Sequence, residues 1–453
     1  MGLICKPINK LLVLSDTKLE VHQLLEATLF NTGVEKGVEL PYVVESTDEF
    51  LVSTAAYRDS AVFEAELANI FYRTWIYVAH ESELNNPGDF KSTLIGLQPV
   101  IVARDQNGQV NVFLNACRHR GSILCREERG NTRVFNCPYH GWAYRPSGEL
   151  IGIPGEDRYP PSFSKKDHGL ISVPRVENYG GLIFASLNPD VQSLESFLGR
   201  AKPHIDYWLK RCAGGRYRTG TSYKYGYDGN WKFQAENVYD GYHAGFVHRS
   251  AYNTFRKFEG SFTGRHYGVV RSDGHTRGLA GGHGTLEMGK PLESDFISSE
   301  AKAAYFQKLV ELNNETDAHE ILSNRHVLLF PNVVIMDFNI RVIQPLAHDR
   351  TEVYSYPMLI DGIDESISYG RMNDVQTRVG VAGMVGADDV DVFHGSQSAL
   401  HATGAKWLNL SRGLGKEEII SDGERIGAFS DETPQRAFWR HWQTVMGLTK
   451  EGE

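Results

Sequence analysis

The chain has no long hydrophobic run. Its first residues, MGLICKPINKLLVLSD, contain only the four-residue apolar stretch Leu11 to Leu14. That is too short for the core of an export signal and far short of the ~20 residues that cross a bilayer, so the chain is expected in the cytoplasm. Met1-Gly2 is followed by Lys6 where a myristoylation signal needs Ser or Thr. Cysteine is scarce: Cys5, Cys117, Cys125, Cys137 and Cys212 are all there is in 453 residues. An odd handful of cysteines without an export signal points to thiols or metal ligands rather than disulfides. Positive charge is also short, with 47 Lys and Arg against 56 Asp and Glu and a net charge of -9. This excludes a general attraction for phosphate backbones and makes nucleic acid an unsuitable partner. Internal repeats and low-complexity tracts are missing as well.

Glycine is plentiful, at 45 residues, beside 41% hydrophobic and 23% charged residues. These values describe a globular protein with many turns, and the length fits two domains. Leucines at 19, 24, 25 and 29 suggest a first helix, and the apolar stripe Phe63, Leu67, Ile70, Phe71, Trp75 a second. Residues 1–73 are therefore expected to be a helical segment packed on the larger domain that follows. From 74 to 190 the pattern turns to short alternating runs. Asn107-Gly108 and Pro146-Ser147-Gly148 mark hairpins in what is expected to be an all-β module. Residues 191–453 read as a larger domain, with a helical run from Gln234 to Tyr252 and β runs at Val327 to Leu329, Asn332 to Ile343 and Thr351 to Leu359. Helices are expected over Asp364 to Val379, from about Ala387, and at the Trp-rich end. The glycine-rich stretch Ser272 to Gly289 reads as a long loop, a lid or cavity rim.

Two Cys-His pairs stand inside the β module, each just after an expected strand. Cys117-Arg118-His119 and Cys137-Pro138-Tyr139-His140 are separated by the seventeen residues Arg120 to Asn136. Zinc sites commonly pair like with like, Cys-x2-Cys or His-x3-His, and a structural zinc is the alternative here. Pairs that each mix a thiolate with an imidazole suit a two-iron, two-sulfide centre better, with two thiolates on one iron and two imidazoles on the other. Cys117-Arg118-His119-Arg120-Gly121 and Cys137-Pro138-Tyr139-His140-Gly141-Trp142 resemble the cluster loops of Rieske proteins, specifically of aromatic-ring-hydroxylating oxygenases. Cys125, between the pairs, reads as a small buried residue.

A second set of ligand chemistry lies in Glu236-Asn237-Val238-Tyr239-Asp240-Gly241-Tyr242-His243-Ala244-Gly245-Phe246-Val247-His248. Five residues turn a regular helix through roughly 500°, so His243 and His248 can share a metal only if the helix bends or unwinds, which Gly241 and Gly245 make easier. Two imidazoles and a carboxylate form the facial triad of mononuclear iron. In the resembled family the carboxylate comes from a late acidic pair at a helix start. Ala387-Asp388-Asp389-Val390-Asp391 matches that element, with Asp389 the expected ligand and Asp388 the alternative. On residues alone, acids at a helix N-terminus more often compensate its dipole. Asp240, three residues before His243, can orient that imidazole from the same helical face. The resemblance implies that Asp240 links this iron to a cluster histidine of a neighbouring subunit, and that Asn237 also lies near the iron.

The resemblance runs from about Glu45 to the end. Trp75-Ile76-Tyr77-Val78-Ala79-His80-Glu81-Ser82, Leu114-Asn115-Ala116-Cys117 and Gly404-Ala405-Lys406-Trp407 look most like large subunits of benzoate, toluate and related aromatic-acid dioxygenases. It implies an α+β fold: an all-β Rieske [2Fe-2S] module before a catalytic domain whose antiparallel sheet is flanked by helices in a helix-grip, START-like arrangement. It further implies one [2Fe-2S] cluster, one mononuclear non-haem Fe(II), and cis-dihydroxylation of an aromatic carboxylate with dioxygen. Its partners would be a flavin and iron-sulfur NADH reductase, with or without a ferredoxin, and a small β subunit in an α3β3 oligomer. A Rieske monooxygenase on an aromatic acid would carry the same ligands. A buried substrate carboxylate needs a cationic partner. Arg325 and Arg341 lie in or beside strands expected to line a cavity, and the sequence does not choose between them.

Overall fold

A computed structural model describes residues 41–251, 274–291, 294, 296–380, 383–420 and 423–448. The leucine-bearing segment expected as the first helix lies outside the described residues. Residues 41–53, expected in a helical segment, instead contain two strands. Val43–Glu45 and Phe50–Ser53 pair antiparallel, and the second also pairs with Trp407–Asn409. Their short apolar runs are satisfied by a distant partner that local periodicity could not reveal. The helix expected next runs over Ser60–Glu66 and continues as a π-turn, Leu67–Phe71.

The β module is built from three small antiparallel sheets. In its longest ladder, Gln98–Arg104 lies between Asp89–Ile95 and Val110–Leu114, and the Asn107-Gly108 turn closes the second hairpin with Gly108 at φ +84°. The period of two sorts its side chains. Val100 and Val102 join a core shared with Trp231 and Ile343 of the larger domain, whereas Ile101 and Ala103 face a separate core holding Cys117, Cys125 and Cys137. One sheet face thus anchors the module and the other supports the Cys-His loops. The four cysteines among the described residues are free and buried.

The larger domain is a ten-stranded antiparallel sheet. Arg216–Thr219 and Tyr223–Tyr227 pair along one edge of Arg350–Asp361, as a strand broken in the middle. Asn339–Ala347, Val333–Ile335, Ser323–Leu329, Gly284–Pro291 and His275–Gly278 follow in order. The terminal helix Thr433–Val445 grips this sheet through Phe438, Trp439 and Trp442, all fully buried. Pro203 sits in the first turn of the helix Lys202–Lys210, where its missing N–H costs nothing.

Two expectations fail here for physical reasons. The glycine-rich loop at Ser272 to Gly289 is, where described, a hairpin of the central sheet: His275–Gly278 pairs with Gly284–Pro291. Its glycines serve close packing, since a Cβ at Gly278 or Gly284 would lie 2.7 Å from Ala437 Cβ or 2.8 Å from Pro434 Cβ of the terminal helix. The helix expected over Gln234 to Tyr252 stops at Asn237 and resumes as the single turn Ala244–Val247, with helical backbone again at 249–251.

Candidate iron and iron-sulfur sites

The two Cys-His loops close in the same way. Gly121 N–H donates to Cys117 O and Gly141 N–H to Cys137 O, both at 2.9 Å, and Cys117 N–H and Cys137 N–H donate to Ser122 O and Trp142 O. Gly121 and Gly141 hold φ of +70° and +71°, a left-handed conformation that glycine adopts without strain. Asn115 steadies the first loop from below: its side chain accepts from Leu124 and Cys125 N–H and donates to Cys125 O.

The thiols are buried, while His140 is exposed. The His119 and His140 rings lie 4.6 Å apart, and Trp142 stacks on His119 at 5.0 Å. The Tyr144 hydroxyl lies 3.4 Å from Cys117 Sγ. Burial pushes the Cys117 thiol pKa up, against the pull of Tyr144, and burial with the nearby His140 and Arg120 lowers that of His119. A neutral imidazole is what a metal requires. His119 Nδ1 is a buried atom without a hydrogen-bond partner, an orphan that metal ligation would satisfy. Two thiols and two imidazoles brought together by the two loops are a donor set that fits a two-iron, two-sulfide cluster.

The second site forms where the chain leaves the helix Trp231–Asn237. His243 and His248 flank the single turn Ala244–Val247, and the chain breaks before His243. The unwinding expected between the two histidines is not found, since His243 keeps helical backbone angles and Val247 N–H donates to His243 O at 3.0 Å; only His248 leaves the helix, at φ −92° and ψ 20°. Gly241 is needed within that break, since a Cβ there would stand 2.2 Å from Phe429 O. Asp389 arrives from the first turn of the helix Gly386–Ala399. Its Oδ1 lies 3.5 Å from His243 Nε2 and 3.3 Å from His248 Nε2. Among the described residues this is the group of three whose ligand atoms all lie within 4.8 Å of one another.

The outer nitrogens have carboxylate partners too. Asp240 Oδ2 stands 3.4 Å from His243 Nδ1, and Asp388 Oδ2 stands 3.4 Å from His248 Nδ1. Asp388 therefore sits behind a histidine and Asp389 in front of both. Asn237 Nδ2 bridges Asp389 Oδ1 at 3.3 Å and His243 Nε2 at 3.2 Å. Burial lowers the pKa of His248, whereas at His243 burial is outweighed by Asp240 and Asp389, which raise it. Two imidazoles and a carboxylate on one side of a metal fit Fe(II) and leave positions for other ligands.

The triad forms part of the wall of a cavity of about 140 Å³. Its apolar lining includes Leu286, Met288, Met336, Phe338 and Phe429. His326 lines it with Nδ1 on Val238 O at 2.8 Å, and burial takes this imidazole's pKa down to about 4. Arg341 lines the cavity, but Arg325 does not: it is buried beside Glu320 and Glu287. The sequence reading missed His326 and the place of Asp388. The signal for Arg341 was there, as a charge within an otherwise apolar strand.

Comparison with known proteins agrees with this geometry. Residues 74–177 match the Rieske [2Fe-2S] domain family, and residues 215–448 match the catalytic domain of ring-hydroxylating alpha subunits. The chain is 34% identical to the 2-halobenzoate 1,2-dioxygenase large subunit of Burkholderia cepacia, over 79% of this chain and 78% of that protein. It is 32% identical to the toluate 1,2-dioxygenase subunit alpha of Pseudomonas putida, over 87% and 91%. Among solved structures, naphthalene 1,2-dioxygenase with indole bound in the active site matches with a TM-score of 0.79 at 28% identity, over 87% of this chain and 92% of that one.

Proposed function

This chain belongs to the ring-hydroxylating oxygenase α subunits, with a Rieske domain ahead of the catalytic domain, and on that premise we propose that it cis-dihydroxylates a single-ring aromatic acid. The observation that carries the reading is the triad His243, His248, Asp389 in the wall of an apolar cavity. The cavity's size supports the substrate class. About 140 Å³ is close to the ~150 Å³ known to admit one benzene ring, and the 2-halobenzoate and toluate enzymes are named for one-ring acids.

Bound here, the cluster supplies electrons and the triad iron supplies dioxygen activation. Cys117, His119, Cys137 and His140 hold the first, and His243, His248 and Asp389 the second. The chain's other residues orient and shield. Asp240 and Asp388 fix the outward nitrogens of the two imidazoles, which sets tautomer and ring angle. Asn237 steadies Asp389 by a side-chain hydrogen bond. The apolar wall grips the ring and excludes water.

The electron source is a flavin NADH reductase, with or without a ferredoxin, in the cytoplasm where NADH is at hand. We assign the division at residue 190, a small β subunit and an α3β3 assembly to the same proposal. Exposed Tyr139 and His140 and partly exposed Asp240 support transfer between neighbouring subunits. The test is metal and sulfide analysis followed by turnover of aromatic acids under labelled dioxygen. A third iron beyond the two of the [2Fe-2S] centre and two labelled oxygen atoms in a diol are expected. One labelled atom would make the enzyme a monooxygenase, and iron confined to the cluster would make it an electron carrier.

A further inference from the structure

Arg341 stands apart from the other charged residues of the cavity wall. It lies on the strand Asn339–Ala347, opposite Val334 on one side and Ser355 on the other. The strand's alternation directs Ile340 and Val342 into a hydrophobic core and leaves Asn339 and Arg341 on the cavity side. The residue is only 4% exposed, and its Nε is buried without a hydrogen-bond partner. A guanidinium stays charged at every accessible pH, so burying it without a counter-charge is costly.

The cavity's carboxylates are committed elsewhere. Asp337 pairs with the buried Arg211, and Asp374 lies 3.1 Å from Arg378. Asp240 and Asp389 face the imidazoles of the metal site. Among the described residues no carboxylate forms an ion pair with Arg341. Asn339, its neighbour on the same face, donates to Ser355 Oγ and is no counter-ion. Beside Arg378, which pairs with Asp374, the wall thus offers the guanidinium fork of Arg341 in a largely apolar chamber that also contains the triad.

We infer that Arg341 binds the carboxylate of the aromatic acid and so selects acids over neutral arenes of the same shape. The assignment rests on the aromatic-acid reading above. The planar fork matches a carboxylate with two parallel N–H···O bonds, while the ring rests on the apolar wall. A neutral arene leaves the guanidinium buried and unpaired, and that penalty is the basis of discrimination.

The test compares benzoate with nitrobenzene, its uncharged planar counterpart, by calorimetric binding to the iron-loaded protein and by steady-state kinetics. Arg341→Met removes the charge at similar volume, a change that buried sites commonly accept without loss of stability. It is expected to weaken benzoate binding by about 100-fold and to leave nitrobenzene within about threefold. KM for benzoate should rise far more than kcat falls, and the reduced-cluster resonance spectrum should not change. Arg341→Lys keeps the charge without the fork and should recover part of the benzoate affinity. Equal losses for both ligands, or an Arg341→Met variant still selective for benzoate, would overturn the assignment while leaving the acid-substrate reading intact. A wild-type enzyme that favours nitrobenzene and turns over no acid would overturn that reading and this inference together.

Discussion

Asp388 and Asp389 are adjacent in sequence and touch different sides of the same imidazole. Asp389 Oδ1 faces both Nε2 atoms, and Asp388 reaches only His248 Nδ1. Asp389→Asn removes the negative ligand, and metal analysis should show the mononuclear iron lost with cluster iron retained. Asp388→Asn should weaken iron affinity by about 10–100-fold, read by chelator competition. A second residue-scale effect concerns Glu236, whose carboxylate accepts from Tyr57 Oη at 2.6 Å and Trp439 Nε1 at 2.8 Å. Burial outweighs these bonds and pushes its pKa up to about 7 from 4.5. A raised folded-state value means that the neutral acid favours folding: its contribution is complete below pH 4.5 and is lost as pH rises through about 7. Denaturant titrations should show about 3 kcal/mol of stability lost across that window, and Glu236→Gln, which keeps the acceptor, should remove the slope.

At the scale of elements, the break between Asn237 and Ala244 matters most. The break directs the helical turn that carries His243 and His248 towards Asp389, and it depends on Gly241 passing close to Phe429 O. Gly241→Ala forces that turn to move. It should cost about 1–3 kcal/mol in thermal unfolding and lower iron retention, because the displaced residues carry a ligand. The terminal helix acts on the site indirectly, holding the sheet whose strands form the cavity wall. Trp439→Ala, at a fully buried position, should cost about 3–5 kcal/mol. The hairpin His275–Pro291 shows why glycine content misled the reading of that stretch. Its glycines make room for the terminal helix, and nothing local in the sequence distinguishes that use from a loop.

Across the whole molecule, Glu66 ties three distant segments together. From the helix preceding the Rieske domain it accepts from Lys232 Nζ at 2.6 Å, Trp231 Nε1 at 2.8 Å and Trp442 Nε1 at 2.8 Å. Lys232 and Glu66 are fully buried, and burial lowers the lysine's pKa. Glu66→Gln leaves that ammonium without its counter-ion and should cost about 3–5 kcal/mol. The damage should reach the iron site, since Trp231 and Lys232 begin the helix that ends at Asn237. The Rieske module is joined to this framework by the shared core and by Asn332, which bonds the Tyr77 backbone in both directions.

The sequence by itself determined where candidate metal donors cluster. Cys117, His119, Cys137 and His140 could be read because each pair is local, and a loop that closes on a left-handed glycine needs only five residues. His243 and His248 were legible for the same reason. That Asp389 faces both Nε2 atoms while Asp388 reaches only His248 Nδ1, the isolation of Arg341 and the paired strands at residues 43–53 and 275–291 were decided by tertiary structure. Asp389 meets histidines more than a hundred residues away, Phe50–Ser53 pairs with Trp407–Asn409 and His275–Gly278 with Arg425–Ala428, and whether a charge is buried, paired or open to a cavity is set by the neighbours that folding assembles.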